Sequence, residues 1–101
     1  MKLERDLYAQ VKKYLDELVR DSYPIWWVKN HGESMVRRGI PDIIACVNGK
    51  FAAFELKSDT GKLTPLQNFT LKSIREVGGV AEMVMSLEEL EGIISEIKRT
   101  V

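Results

Sequence analysis

The stretch GIPDIIACVNGKFAAFELK, residues 39–57, holds two runs rich in β-branched, aromatic and small apolar residues on either side of Asn48-Gly49. Asn-Gly is the strongest short hairpin signal, because both central positions of a type I′ turn need positive φ. Residues 41–47 and 50–57 therefore read as paired strands in which the numbers of opposed residues sum to 97, a register that a four-residue loop would also keep. That register sets Asp42 opposite Glu55, with Cα atoms roughly 4.5–5.5 Å apart. Ile44 then faces Ala53 and Cys46 faces Phe51 on the same side, with Lys57 two residues beyond Glu55. The other side carries Ile43, Ala45, Val47, Ala52, Phe54 and Leu56, so both faces are largely apolar and the hairpin reads as central and covered.

Two carboxylates directly opposed at the end of a buried hairpin repel each other. A shared proton, the ammonium of Lys57 or a divalent cation with hard oxygen ligands would each offset that repulsion. The structural alternative is a salt bridge centred on Lys57 at the rim of the sheet. A register slip of one residue would send the acids to opposite faces and remove the constellation.

Outward from the hairpin, Leu3, Leu7, Val11, Leu15, Leu18 and Val19 recur at helical spacing, widened by Tyr14, and predict an amphipathic helix over 3–21. Glu4 lies on the stripe of Leu7, Tyr8, Val11 and Leu15 and points toward the sheet from the first turn, the other reading being a surface acid favoured by the helix dipole. Pro24 bars continuation of the helix, and Ile25 to Val28 reads as the first strand. Residues 30–40, with two glycines and mixed charge, read as a mobile loop. Thr64-Pro65-Leu66-Gln67 is a helix start with an N-cap, a proline at the first helical position and a capping-box glutamine. The helix it opens is expected to bury Leu66, Phe69, Ile74 and Val77 and to stop at Gly78-Gly79. Val80 to Met85 predicts a fourth strand. Ser86-Leu87-Glu88-Glu89 reads as a second capping box before a last helix with Leu87, Leu90, Ile93, Ile94 and Ile97 inward. The element order is αβββαβα, an α/β fold with a mixed four-stranded sheet flanked by helices.

A chain of 101 residues fits one domain, spanning 1–101. Fifteen basic and fifteen acidic residues cancel, but residues 29–62 carry six positive and four negative groups. Acids there that bind metal would leave the region more basic than its count. The balance neither requires nor excludes a polyanionic partner. Cys46, alone, makes neither an internal disulfide nor a cysteine zinc site. No apolar run approaches the roughly 20 residues that span a bilayer, and MKLERDLYAQ lacks the core of a signal peptide. A cytoplasmic globular domain is expected, with no membrane partner.

Gly39-Ile40-Pro41-Asp42, followed after twelve residues by Glu55-Leu56-Lys57, resembles the PD-(D/E)XK nuclease signature. With Glu4 on the first helix and Gln67 after the motif, the chain is similar to the VRR-NUC family, in particular to its small stand-alone bacteriophage members. The resemblance covers residues 3–85 and implies a restriction-endonuclease-like core. It implies a Mg²⁺- or Mn²⁺-dependent DNA endonuclease, with Asp42, Glu55 and the backbone carbonyl of Leu56 holding the metal and Glu4 a ligand or close behind one. Lys57 would orient the attacking water or stabilise charge on the phosphorane. Gln67 would lie near the lysine and support the site; as the capping partner of Thr64 it is not expected to meet both roles fully with one side chain. The resemblance also suggests a homodimer cutting branched DNA such as four-way junctions. A phage origin, a role in replication or repair in the bacterial host, and a replication helicase as partner go with it. The alternative is a non-catalytic or partner-activated DNA-binding module on the same scaffold.

Lys29, Arg37 and Arg38, with His31, flank the predicted loop and are candidates for contact with substrate phosphates, the other reading being a solvated loop. His31 has no second histidine with which to bind metal. Trp26 and Trp27 must point to opposite faces, one of them into the core. Cys46, Met83 and Met85 read as core filling.

Overall fold

The computed structural model describes residues 3–30 and 38–100. The elements run α1 (Glu4–Arg20), β1 (Ile25–Lys29), β2 (Ile43–Val47), β3 (Lys50–Leu56), α2 (Pro65–Glu76), β4 (Val80–Val84) and α3 (Leu87–Thr100). The strands form one sheet in the order β1-β2-β3-β4, antiparallel except for β3 and β4, which are parallel and joined through α2. This is the mixed sheet that the element order predicts. The predicted loop over 30–40 falls largely on residues 31–37, which lie outside the described residues.

The hairpin register is the one set by Asn48-Gly49. Val47 pairs with Lys50, Cys46 with Phe51 and Ile43 with Phe54, and the turn residues take φ of 50° and 83°. Ile43, Ala45, Val47, Ala52, Phe54 and Leu56 are buried with Leu7, Val11 and Leu15 of α1 and Leu90, Ile94 and Ile97 of α3 in one core. Each fully buried large apolar side chain there contributes about 1.5–3 kcal/mol. Leu3 and Val19, at the two ends of the α1 stripe, are exposed instead, since only the middle turns of the helix lie over the sheet. At α3, Ser86 accepts from the Glu89 N–H, but the Glu89 carboxylate takes the Met85 N–H rather than that of Ser86.

The opposite face is covered less completely than the sequence suggests. α2 buries Leu71, while Leu66, Phe69 (60% exposed) and Val77 (86% exposed) stay exposed, and only Ile74 of the expected set is half-buried. The helix is turned so that Gln67 and Leu71, one helical turn apart, face the sheet. Phe51 and Cys46 on that face are exposed, as is Trp26, whereas Trp27 packs on the core. Cys46 is thus not core filling: it projects from the side of β2 that neither α1 nor α3 covers.

Gly39 ties the segment that leads through Asp42 into β2 to α2. Its φ is +82°, and a Cβ there would lie 2.7 Å from Leu66 Cγ. Both the left-handed backbone and the close approach call for glycine. Gly39→Ala is expected to cost about 1–2 kcal/mol from the backbone alone, read as a lower melting temperature, with a further loss from displacing Leu66. An unchanged melting temperature would show that the loop shifts freely on α2.

Candidate active site

The mouth of the hairpin is shaped by what Pro41 lacks. Alternation along β2 sends 43, 45 and 47 to β3 and 42, 44 and 46 to β1, as the Asn30 N–H bond to the Asp42 carbonyl (2.7 Å) confirms for the β1 side. The next β2–β3 bond would run from residue 41 to the Leu56 carbonyl, but proline has no N–H. The ladder ends at Ile43–Phe54. The Leu56 carbonyl is thereby left without that donor, while the Leu56 N–H donates to Asp42 Oδ2 at 2.8 Å, which fixes the Asp42 carboxylate beside β3. Lys57 is fixed on the other side of the strand by its N–H bond to the Val84 carbonyl at 3.0 Å.

Glu55 is 4% exposed, the one buried charged residue among those described. Its Oε1 accepts from Gln67 Nε2 at 3.2 Å, while its Oε2 is buried with no hydrogen-bond partner. Burial first, then the close Asp42 carboxylate, push the Glu55 carboxyl up to about 8; Lys57 pulls it down and Glu4 adds a smaller upward push. The acid pair therefore sits in the repulsive arrangement that the register implies, and the Lys57 ammonium only partly relieves it. Lys57 forms no ion pair with either acid, and its stem packs against Gly61, where a Cβ would lie 3.3 Å away.

One Gln67 side chain both closes the capping box and reaches Glu55. Its Oε1 accepts from the Thr64 N–H at 2.9 Å, Thr64 Oγ1 accepts from the Gln67 N–H at 3.1 Å, and the amide nitrogen reaches Glu55. A primary amide has its acceptor and its donors on opposite sides, so one side chain closes the capping box and holds the acid at once. This double duty is also why α2 turns Gln67 inward.

A cavity of about 220 Å³ opens on the α1 side of the pair, lined by Glu4, Arg5, Tyr8, Lys29, Asp42 and Leu56. Glu4 is thus beside Asp42, but exposed, and no group of three or more His, Cys, Asp or Glu among the described residues is tight enough to hold a metal ion. What does fit a hard divalent cation is the two-carboxylate set: a buried oxygen with no partner, a second acid beside it, and a Leu56 carbonyl given no donor by Pro41. Arg38 is exposed and lines no cavity with the acids; Arg37 and His31 lie outside the described residues. Arg5 was not singled out by the sequence, and Tyr8 was read only as part of the helix stripe that carries Glu4, four residues away.

The sequence matches no protein-family model and no curated protein. A solved structure described as a VRR_NUC domain superposes with a TM-score of 0.64 over 93% of this chain and 97% of its own length, at 20% identity. The chain has the fold of a VRR_NUC domain. In this VRR_NUC-like fold the described residues include no helix long and apolar enough to cross a membrane.

A carboxyl raised from 4.5 to about 8 keeps its proton in the folded protein while the unfolded chain releases it. Its stabilisation is complete below about pH 4.5 and is lost as pH rises through about 8. Without metal, the wild-type melting temperature is expected to fall through that window, and Glu55→Gln to remove most of the fall and to be the more stable of the two at about pH 8. Parallel pH curves for the two proteins would show that Glu55 ionises as an ordinary carboxylate.

Proposed function

We propose that the chain is a divalent-metal-dependent phosphodiesterase of the VRR-NUC family, an endonuclease acting on DNA. The observation that carries this reading is the opposed, buried Asp42–Glu55 pair with one orphaned oxygen and Lys57 beside it, on a fold shared with a VRR_NUC domain. Asp42, Glu55 and the Leu56 carbonyl would hold Mg²⁺ or Mn²⁺, with Glu4 acting on the site through its charge. When bound, the cation polarises the scissile phosphodiester and lowers the pKa of water. Asp42 is held in place by the Leu56 N–H, and Glu55 by Gln67. Lys57, two residues along the strand from Glu55, directs its ammonium to the same side, where it orients the attacking water or stabilises developing negative charge.

Branched DNA such as a four-way junction is the proposed substrate, cut by a homodimer with one site for each strand, in phage replication or repair. These finer points are supported by the sequence resemblance. A partner such as a helicase belongs to the same reading.

The test is incubation of purified protein with labelled four-way junction, splayed arm and linear duplex, in Mg²⁺, Mn²⁺ or EDTA. Cleavage is expected only with metal, and fastest on the junction. Asp42→Asn and Lys57→Ala are expected to slow it by about 10²–10⁴-fold while remaining folded. Calorimetric titration with Mn²⁺ should show binding that Asp42→Asn loses. Undiminished cutting by either variant would overturn the site assignment, and DNA binding with neither metal uptake nor cleavage would favour a non-catalytic module.

A further inference from the structure

We infer that Arg5 and Lys29 form a phosphate subsite on the α1 side of the acid pair, which takes a backbone phosphate adjacent to the one attacked, with the Tyr8 ring positioning Lys29. The inference rests on the nuclease reading and adds to it a second point of grip on the substrate.

The cavity of about 220 Å³ brings two carboxylates, Glu4 and Asp42, together with two cations, Arg5 and Lys29. Opposite charges in one cleft ordinarily pair. Among the described residues the ion pairs are Lys12–Asp16, Arg20–Asp21, Arg75–Glu82 and Arg99–Glu96, and neither Arg5 nor Lys29 is in one. Lys29 is held elsewhere: its Nζ lies 4.9 Å from the centroid of the Tyr8 ring, a geometry that fixes an ammonium without neutralising it. Lys29 pairs with Ile43, the neighbour of Asp42, so the ring sets its charge beside the acid pair. Arg5 stands three residues from Tyr8 in the first turn of α1 and is exposed.

The cleft thus keeps acids and bases apart, leaving oxygens for a cation and nitrogens for an anion. A volume of about 220 Å³ falls below the roughly 300–1,000 Å³ of pockets that enclose a small organic ligand. It suits a phosphate group better than a nucleoside. Arg5 supplies a planar fork matched to two phosphate oxygens, and Lys29 a point charge. Lys57 works from the Glu55 side and these two from the α1 side, so a strand lying across the acids is held at both flanks.

The experiment is fluorescence anisotropy of a labelled four-way junction across a series of salt concentrations, with Ca²⁺ in place of Mg²⁺. The proteins are wild type, Arg5→Gln, Lys29→Gln, Tyr8→Phe, Tyr8→Leu and the control Lys13→Gln, with melting curves to establish that each is folded. Arg5→Gln and Lys29→Gln are each expected to weaken binding and to reduce the slope of log Kd against log salt by about 0.7–0.9, the loss of one phosphate contact. Tyr8→Phe keeps the ring and should match wild type, and Tyr8→Leu should resemble Lys29→Gln. Lys13→Gln should leave the slope unchanged. Unchanged slopes for both Arg5→Gln and Lys29→Gln, in a protein that binds and cuts DNA, would overturn the subsite and leave the nuclease reading standing. A wild-type protein that neither binds nor cuts any of the DNAs would overturn both.

Discussion

Two carboxyl groups held face to face at the open end of a hairpin are the constraint from which most of the structure around the cleft follows. The turn at Asn48-Gly49 sets the register, the pleat puts Asp42 and Glu55 on one side, and the core under β3 keeps the second acid out of water. A fold that needed only stability would place an apolar pair there, since a desolvated carboxylate beside another is costly. Here the surrounding groups preserve the conflict. Pro41 withholds a donor from the Leu56 carbonyl, Asp42 takes the Leu56 N–H, and Gln67 satisfies one oxygen of Glu55 while the other stays bare.

The position of α2 follows from the same requirement. Its first turn uses Gln67 as a cap and as a prop for Glu55, so the helix presents Gln67 and Leu71 inward and leaves Phe69 and Val77 outside. Gly39 lets the chain pass against Leu66, which couples the segment bearing Asp42 to the helix bearing Gln67. The acid pair and its supports thus come from three separate stretches, and each stretch is fixed by a local rule of turn, cap or close approach.

A net charge of zero hides how the charge is sorted. Glu4, Asp42 and Glu55 converge at the end of the sheet, and Lys57, Lys29 and Arg5 stand around them without entering ion pairs among the described residues. Whole-chain composition averages over this arrangement. The local field is that of a cleft with an anionic centre and cationic flanks, which is the complement of a cation carried between phosphates.

The sequence by itself determined the order of elements, the hairpin register and the shared face of Asp42, Glu55 and Lys57, because a two-residue Asn-Gly turn and the period of a strand leave one solution. It determined the starts of α2 and α3 as well, since capping depends on residues three apart, although at α3 only the Ser86 half of the box forms. What only the tertiary structure decided was anything requiring two distant segments to meet. The apolar residues of α2 admit more than one inward face, and the choice fell to a hydrogen bond between Gln67 and Glu55 that local periodicity does not encode. Tyr8 and Lys29 meet because α1 lies along β1, and Cys46 is exposed because α1 and α3 pack on the other side of β2. Local hydrogen bonding and φ preferences are written along the chain, whereas the rotation of a helix about its axis is settled by the partners it finds in space.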